Sequence, residues 1–434
     1  MTADHDDTPG SAAPTSSLLV HAVDEVVLGE ETAFDAGRLT VGVDQAREAL
    51  ADPALAAVRV HAANPGDRVR IVKLLDVVEP RTKGPGKPGM FPGFLGAPQP
   101  DRPRETHVLR GAAVMAAGAL PRNQEGVVDM TGPAAEVSPY AATRNVVVEF
   151  DRADEASWED VDAALRRGLL RLAVHLADAA ADAEPDEVEE WPAPAAPGTS
   201  DLPRVGVVTN LQTQGSFKDV YVYGRSFSTS LPTLIDPFEV DDGAIVGGQF
   251  GHPGLRNSTY MHCNHPVVAD LRRRHGQNLS FAGLVICPEP VDQHAKEHIS
   301  AHAARLCAAA GFDAAVVTKE GGGNADADAS LKMDRLEDAG IAAVGVFAEF
   351  AGPDGTGPPL VFPPRRATAM VSTGNYDLRL DLPAMERAFG GDRVDIADAD
   401  ATDEMTLPVA TVHGALNLLG WGRLTSTQET EEAA

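Results

Sequence analysis

Cysteine is scarce in this chain of 434 residues: Cys263, Cys287 and Cys307 are all there is. Three thiols at such wide spacing make neither a disulfide framework nor a CxxC metal site, so reduced cysteines are expected. Positive charge is also short, with 36 basic residues against 64 acidic ones and a net charge of -28. That balance repels phosphate backbones and anionic lipid surfaces, which excludes nucleic acid and membrane surfaces as natural partners. No apolar run approaches the roughly 18 residues of a membrane span. The first residues, MTADHDDTPGSAAPTSS, carry neither the basic nor the apolar stretch of a secretory signal. A soluble cytoplasmic protein is expected, its acidity serving as a solvated surface.

The chain is long enough for about two or three domains, and its 43% hydrophobic content suits a buried core. Residues 1–16 and 424–434 have little to bury and read as tails. From residue 17 to 182 short β-type runs dominate: LLVHAVDEVV, RLTVGV, AAVRVHA, DRVRIVKLLDVV and NVVVEF. The Gly- and Pro-dense stretch Arg81–Pro103 can hold neither helix nor central strand and reads as a long loop. Val161, Leu165, Leu169, Leu172 and Leu176 recur at helical spacing, so a helix from Trp158 to Ala181 closes this β-rich N-terminal domain.

Residues 183–203 turn acidic and then proline-rich, as a surface linker would. Beyond them, residues 204–423 alternate buried strands (204–210, 278–287, 313–319, 341–350) with helices near 291–310 and 326–339. That alternation predicts an α/β fold with a parallel sheet covered on both faces. Ligands in such sheets bind at the carboxyl ends of the strands, after Thr209, Cys287, Thr318 and Phe347.

Four constellations stand near those ends. Gln212, Thr213 and Gln214 could orient a small polar ligand or merely satisfy a strand-to-loop transition. KEGGGNADAD, Lys319–Asp328, lets backbone approach a ligand before a helix, but lacks the GKS or GKT of a phosphate loop. Asp241–Pro266 gathers glycines with His252, Asn257, Ser258, Thr259, Tyr260, His262, Cys263 and His265, a mixture able to pass close to a substrate and present acid-base groups. His294, His298 and His302 share one helix flank and fit a solvated face better than a metal site.

Taken in order, ETHVLRGAAVM (105–115), EGVVDMTGP (125–133), LQTQGSFKDVYVYG (211–224), DGAIVGG (242–248), NSTYMHCNHPV (257–267), EGGGNADAD (320–328) and LPVATVHGALNLLGWGRLT (407–425) resemble the proprotein subunits of the glycine, sarcosine, betaine and D-proline reductases. The resemblance implies self-cleavage at an Asn-Cys bond, conversion of the cysteine to a pyruvoyl group that captures a substrate amine, and a partner subunit whose selenol or thiol breaks the C–N bond. Here the matching pair is Gln249-Phe250. Phenylalanine has neither a nucleophilic atom nor a leaving group at Cβ, so no pyruvoyl is expected at this degenerate cleavage site. Gly254 stands where the family has a second cysteine.

The resemblance therefore implies an uncut subunit of a reductase-like complex. A partner supplies the redox thiol or selenol for C–N, C–S or C–O chemistry, and hetero-oligomers are expected. Its small polar substrate would be bound by Gln212, Gln214, Asn257, Tyr260 and Asn324, with His252, His262, Cys263, His265 and Asp242 as catalytic candidates. Two alternatives stay open: a vestigial site in a structural subunit, and a metal centre on His252, His262 and His265, with the metal itself unknown.

Overall fold

A computed structural model describes residues 15–99, 103–121, 125–194, 196–198, 200–214, 219–248, 252–367 and 369–421. Both tails fall largely outside this range, as does the pair Gln249-Phe250. The first half contains β1 (Thr15–Ala22), β2 (Leu55–Ala63), β3 (Val69–Val72), β4 (Leu74–Val78), β5 (Glu105–Arg110), β6 (Ala112–Ala117) and β7 (Arg144–Arg152). Strands β2, β7, β6 and β4 form one sheet in that order. The run from 67 to 78 is two strands because Lys73, at φ 55°, turns the chain between β3 and β4.

Helix α1 (Trp158–Asp178) starts on a capping box in which Ser157 and Asp160 bond reciprocally, satisfying backbone donors that the first turn leaves free. Its predicted stripe, Val161, Leu165, Leu169, Leu172 and Leu176, is buried in one core cluster with strand residues Val78, Val114, Val146 and Val148. At about 1.5–3 kcal/mol per buried side chain, this face rather than intrinsic propensity holds the helix.

The stretch expected as a linker is partly ordered. Strand β8 (Glu187–Pro192) pairs antiparallel with β1, and Trp191 is buried beside Leu18, Val20 and Val108. Acidic residues obscured it, because a strand with one exposed face can carry glutamates on that side.

The second half follows the predicted alternation: β9 (Arg204–Leu211), β10 (Thr233–Ile235), α2 (Thr259–Cys263), α3 (Pro266–Arg273), β11 (Ser280–Pro288), α4 (Gln293–Ala309), β12 (Ala314–Lys319), α5 (Asn324–Asp338), β13 (Ala342–Glu349) and β14 (Ala369–Asn375). The sheet order is β10-β11-β9-β12-β13-β14, parallel except for the antiparallel edge β10. Adjacent residues point to opposite cores: Val207, Leu284 and Ile286 pack with Val267, Val268 and Leu271 of α3. Val208, Val285 and Cys287 pack with Ile299, Ala303, Ala329 and Met333 of α4 and α5. This explains why the strands read as continuous apolar runs.

The C-terminal stretch returns to the first half. A short strand β15 (Arg387–Phe389) pairs parallel with β3, and Leu382, Leu407 and Val412 pack with Val72, Val127 and Ala134. Among the described residues, no helix is long and apolar enough to cross a membrane.

Candidate active site

Strand β9 is the point where the connections diverge, since β11 lies on one side of it and β12 on the other. A crevice opens outside the carboxyl ends at such a position. Here it has a volume of about 300 Å³ and is lined by Gln212, Gln214, His252, Glu289, Val291, Gly322 and Ala325. Three of these residues come from the sequence-predicted set, brought together from separate stretches of chain.

Each wall is fixed. Thr213 Oγ1 donates to the Glu289 carbonyl at 3.2 Å and accepts from the Glu289 N–H at 3.1 Å, clamping the loops after β9 and β11. Gln212 N donates to Glu320 Oε2 at 3.1 Å, and Arg256 Nη1 donates to the Gln212 carbonyl at 3.0 Å. Asn324 Nδ2 donates to Gln214 Oε1 at 3.0 Å, so Asn324 supports the crevice through Gln214. His252 sits in the left-handed region at φ 63°, an uncommon conformation for a residue with a Cβ. Its Nδ1 is 3.0 Å from the Tyr376 hydroxyl. A Cβ on Gly322 would meet Phe350 Cζ at 1.8 Å, so a side chain here would require the Phe350 ring to move.

Glu289 is the distinctive group. It is fully buried, and neither carboxyl oxygen has a hydrogen-bond partner among the described residues. Burial, followed by the nearby Asp328 and Glu320 carboxylates, raises its pKa well above the ordinary value, so the side chain favours its neutral acid form. Gln212 Oε1 is likewise unpartnered. Beneath the crevice the remaining charges are paired: Lys319 with Asp326 at 2.9 Å, and Lys296 and Lys332 with Asp328.

The segment Asp241–Pro266 is anchored against the first half rather than laid over the crevice as one piece. Asp76 accepts from Thr259 N at 3.0 Å and from Thr259 Oγ1 at 2.7 Å, and Thr259 Oγ1 accepts from Gly247 N at 2.9 Å. Ser258 Oγ meets the Tyr140 hydroxyl at 2.8 Å. Asp242, a catalytic candidate, is buried 2.5 Å from Lys83 Nζ and accepts from Thr106 Oγ1 at 3.0 Å. Asn257 is buried between the anchors and does not line the crevice.

Tyr260, His262, Cys263 and His265 line a different cavity, of about 220 Å³, between α3 and the β1-β8 edge. His262 Nε2 stands 3.2 Å from Glu320 Oε1, behind the crevice wall. His265 Nδ1 accepts the Val268 N–H at 3.4 Å, capping α3. Burial pushes the Cys263 thiol up to about 12, which leaves it protonated and a poor nucleophile. The proposed metal centre on His252, His262 and His265 is not formed. His252 faces Tyr376, His262 faces Glu320 and His265 caps a helix. Among the described residues, no group of three or more His, Cys, Asp or Glu side chains could hold a metal ion.

Sequence reasoning missed Glu289, Glu320, Arg256 and Tyr376. The first two were within reach, because each follows directly on a strand end already marked for inspection. Arg256 lies within the segment Asp241–Pro266 already singled out, whereas Tyr376 carries no such signal and tertiary packing alone brings it in.

In parallel α/β sheets a polar crevice at the diverging strand ends is the place where ligands bind. The family model described as glycine/sarcosine/betaine reductase component B subunits matches residues 18–422. Over 420 residues the chain is 36% identical to the glycine reductase complex component B subunits alpha and beta of Peptoclostridium acidaminophilum, covering 93% of this chain and 97% of the relative. The sarcosine reductase complex component B subunit alpha of the same organism is 34% identical over 381 residues, covering 85% and 87%. Its betaine reductase counterpart is 32% identical over 381 residues, covering 85% and 86%. This chain belongs to the glycine/sarcosine/betaine reductase component B family. No solved structure matches it.

Proposed function

We propose that this chain works uncut, as the substrate-holding subunit of a reductase-like complex in which a partner subunit supplies the redox thiol or selenol. The observation that carries this reading is the convergence of Gln212, Gln214, His252 and Glu289 on one crevice at the sheet's carboxyl edge. Family membership supports the partnership, since the relatives carry the names of complex components.

A pyruvoyl group does not fit this chain: Phe250 has no heteroatom to attack the preceding carbonyl and none to eliminate from Cβ. No step is therefore routed through a carbonyl cofactor. The amides of Gln212 and Gln214 orient a small polar substrate, and Glu289 in its acid form donates a proton to the departing group. The partner's thiolate or selenolate attacks the carbon, whose bond to N, S or O breaks with the electron pair leaving on that heteroatom.

The test is isolation of the native complex from the source organism, followed by intact-protein mass spectrometry. The expected result is one chain near 45.5 kDa held with a thiol- or selenol-bearing subunit. A chain isolated without partners, or split into two fragments, overturns the reading.

A further inference from the structure

The cavity lined by Tyr260, His262, Cys263 and His265 plays no part in the crevice chemistry, yet its polar lining is unsatisfied. Trp191 is 6% exposed and His265 6% exposed. Trp191 Nε1 and His265 Nε2 are both buried with no hydrogen-bond partner among the described residues. Trp191 Nε1–H can only donate. His265 Nδ1 accepts the Val268 N–H, which places the ring proton on Nε2, so that atom too is a donor. Two buried donors left without acceptors are costly, and they share the lining of one 220 Å³ cavity.

The cationic side chains around it are held in place by carboxylates. Arg110, Arg272 and Arg273 line the cavity against only Glu189 and Asp241. Arg272 is pinned, with Nη1 2.7 Å from Asp241 Oδ2 and its guanidinium 5.6 Å over the Trp191 ring. Arg273 pairs with Asp270, and Arg110 lies 3.5 Å from Glu79 Oε1 through Nε and 3.8 Å from Glu189 Oε1 through Nη2. Leu18, Pro237, Val240 and Leu419 make the remaining wall apolar.

We propose that this cavity is a second binding site, distinct from the strand-end crevice, for a small carboxylate bearing a short apolar chain. The carboxylate accepts from Trp191 Nε1–H and His265 Nε2–H beside the arginines, and the chain lies on the Leu18 and Val240 wall. The site does not depend on the reductase reading, because none of the groups that would bind the ligand lines the crevice.

The full chain labelled with 5-fluorotryptophan provides the test, since it holds only Trp158, Trp191 and Trp421. Titration with sodium butyrate should move the Trp191 fluorine resonance saturably and leave the other two in place. His265→Asn keeps a helix-capping acceptor, removes the Nε2 donor and should weaken binding about tenfold. Trp191→Phe, followed by calorimetry, should weaken it comparably while keeping the ring under Arg272. Should either variant fail to fold, the wild-type titration against butyramide and butylammonium chloride decides. A Trp191 resonance that butyrate leaves unmoved, or that the amide or the ammonium moves equally, overturns the proposal.

Discussion

His262 Nε2 lies 3.2 Å from Glu320 Oε1, while the other oxygen of that carboxylate accepts the Gln212 N–H at 3.1 Å. One buried side chain thus joins the histidine-rich cavity to the wall of the crevice. Arg256 completes the cluster, with Nε 3.4 Å from Glu320 Oε2.

Glu320→Ala should therefore be far worse than His262→Ala. Removing the carboxylate leaves the fully buried Arg256 guanidinium uncompensated, a change that typically costs about 3–5 kcal/mol. Removing the imidazole deletes only a charge contact at 3.2 Å and leaves Arg256 paired with the carboxylate, a loss of about 1–3 kcal/mol with the buried ring volume. Urea unfolding of both variants checks the order, and equal losses would show that Arg256 finds another counter-charge.

Glu289→Gln should separate stability from binding. The folded protein holds the Glu289 proton above the ordinary value of 4.5, so over that range the native state binds more protons than the unfolded one. Wild-type stability should therefore fall as pH rises from 4.5 toward the folded pKa. The glutamine variant mimics the neutral acid and should lose less stability between pH 5 and pH 8, while turnover by the assembled complex drops. Denaturant midpoints at the two pH values, beside activity of the complex, provide the check.

His265 gives the opposite slope. Burial, with His262 nearby, lowers its pKa from 6.5 to about 3, so the unfolded chain takes up a proton that the folded chain refuses. The stabilisation is complete above pH 6.5 and is lost as pH falls toward 3, amounting to about 2 kcal/mol by pH 5. His265→Asn should flatten that part of the stability profile in acid denaturation. An unchanged acid limb would mean that the imidazole is protonated in the fold.

Asp242→Ala should fail as a folding variant rather than as a catalytic one. Its carboxylate is fully buried against Lys83, whose ammonium also donates to Thr106 Oγ1, and withdrawing that buried charge partner costs about 3–5 kcal/mol. Thermal unfolding should show a large drop in melting temperature. A stable protein with abolished turnover would instead return Asp242 to the chemistry.

The strands of the second half and helix α1 of the first were legible because their patterns are local: the continuous apolar run through Val207 and Val208, and the spacing from Val161 to Leu176, depend on neighbours a few residues away. The same holds for the family resemblance, which rests on the order of short motifs along the chain. The crevice was only half legible. Gln212, Gln214 and His252 could be named from the sequence, but whether His252 shares a site with His262 depends on how the chain between them turns. His252, in its left-handed conformation, faces Tyr376, whereas His262, on α2, faces Glu320. Nor could sequence foresee that Trp191, within an acidic and proline-rich stretch, closes a cavity with His265. Residue types and their order determined the sheet, the helices and the family resemblance. Which buried donors and carboxylates face one another was decided by long-range packing, since these pairs lie far apart in the chain and no local pattern encodes their distance.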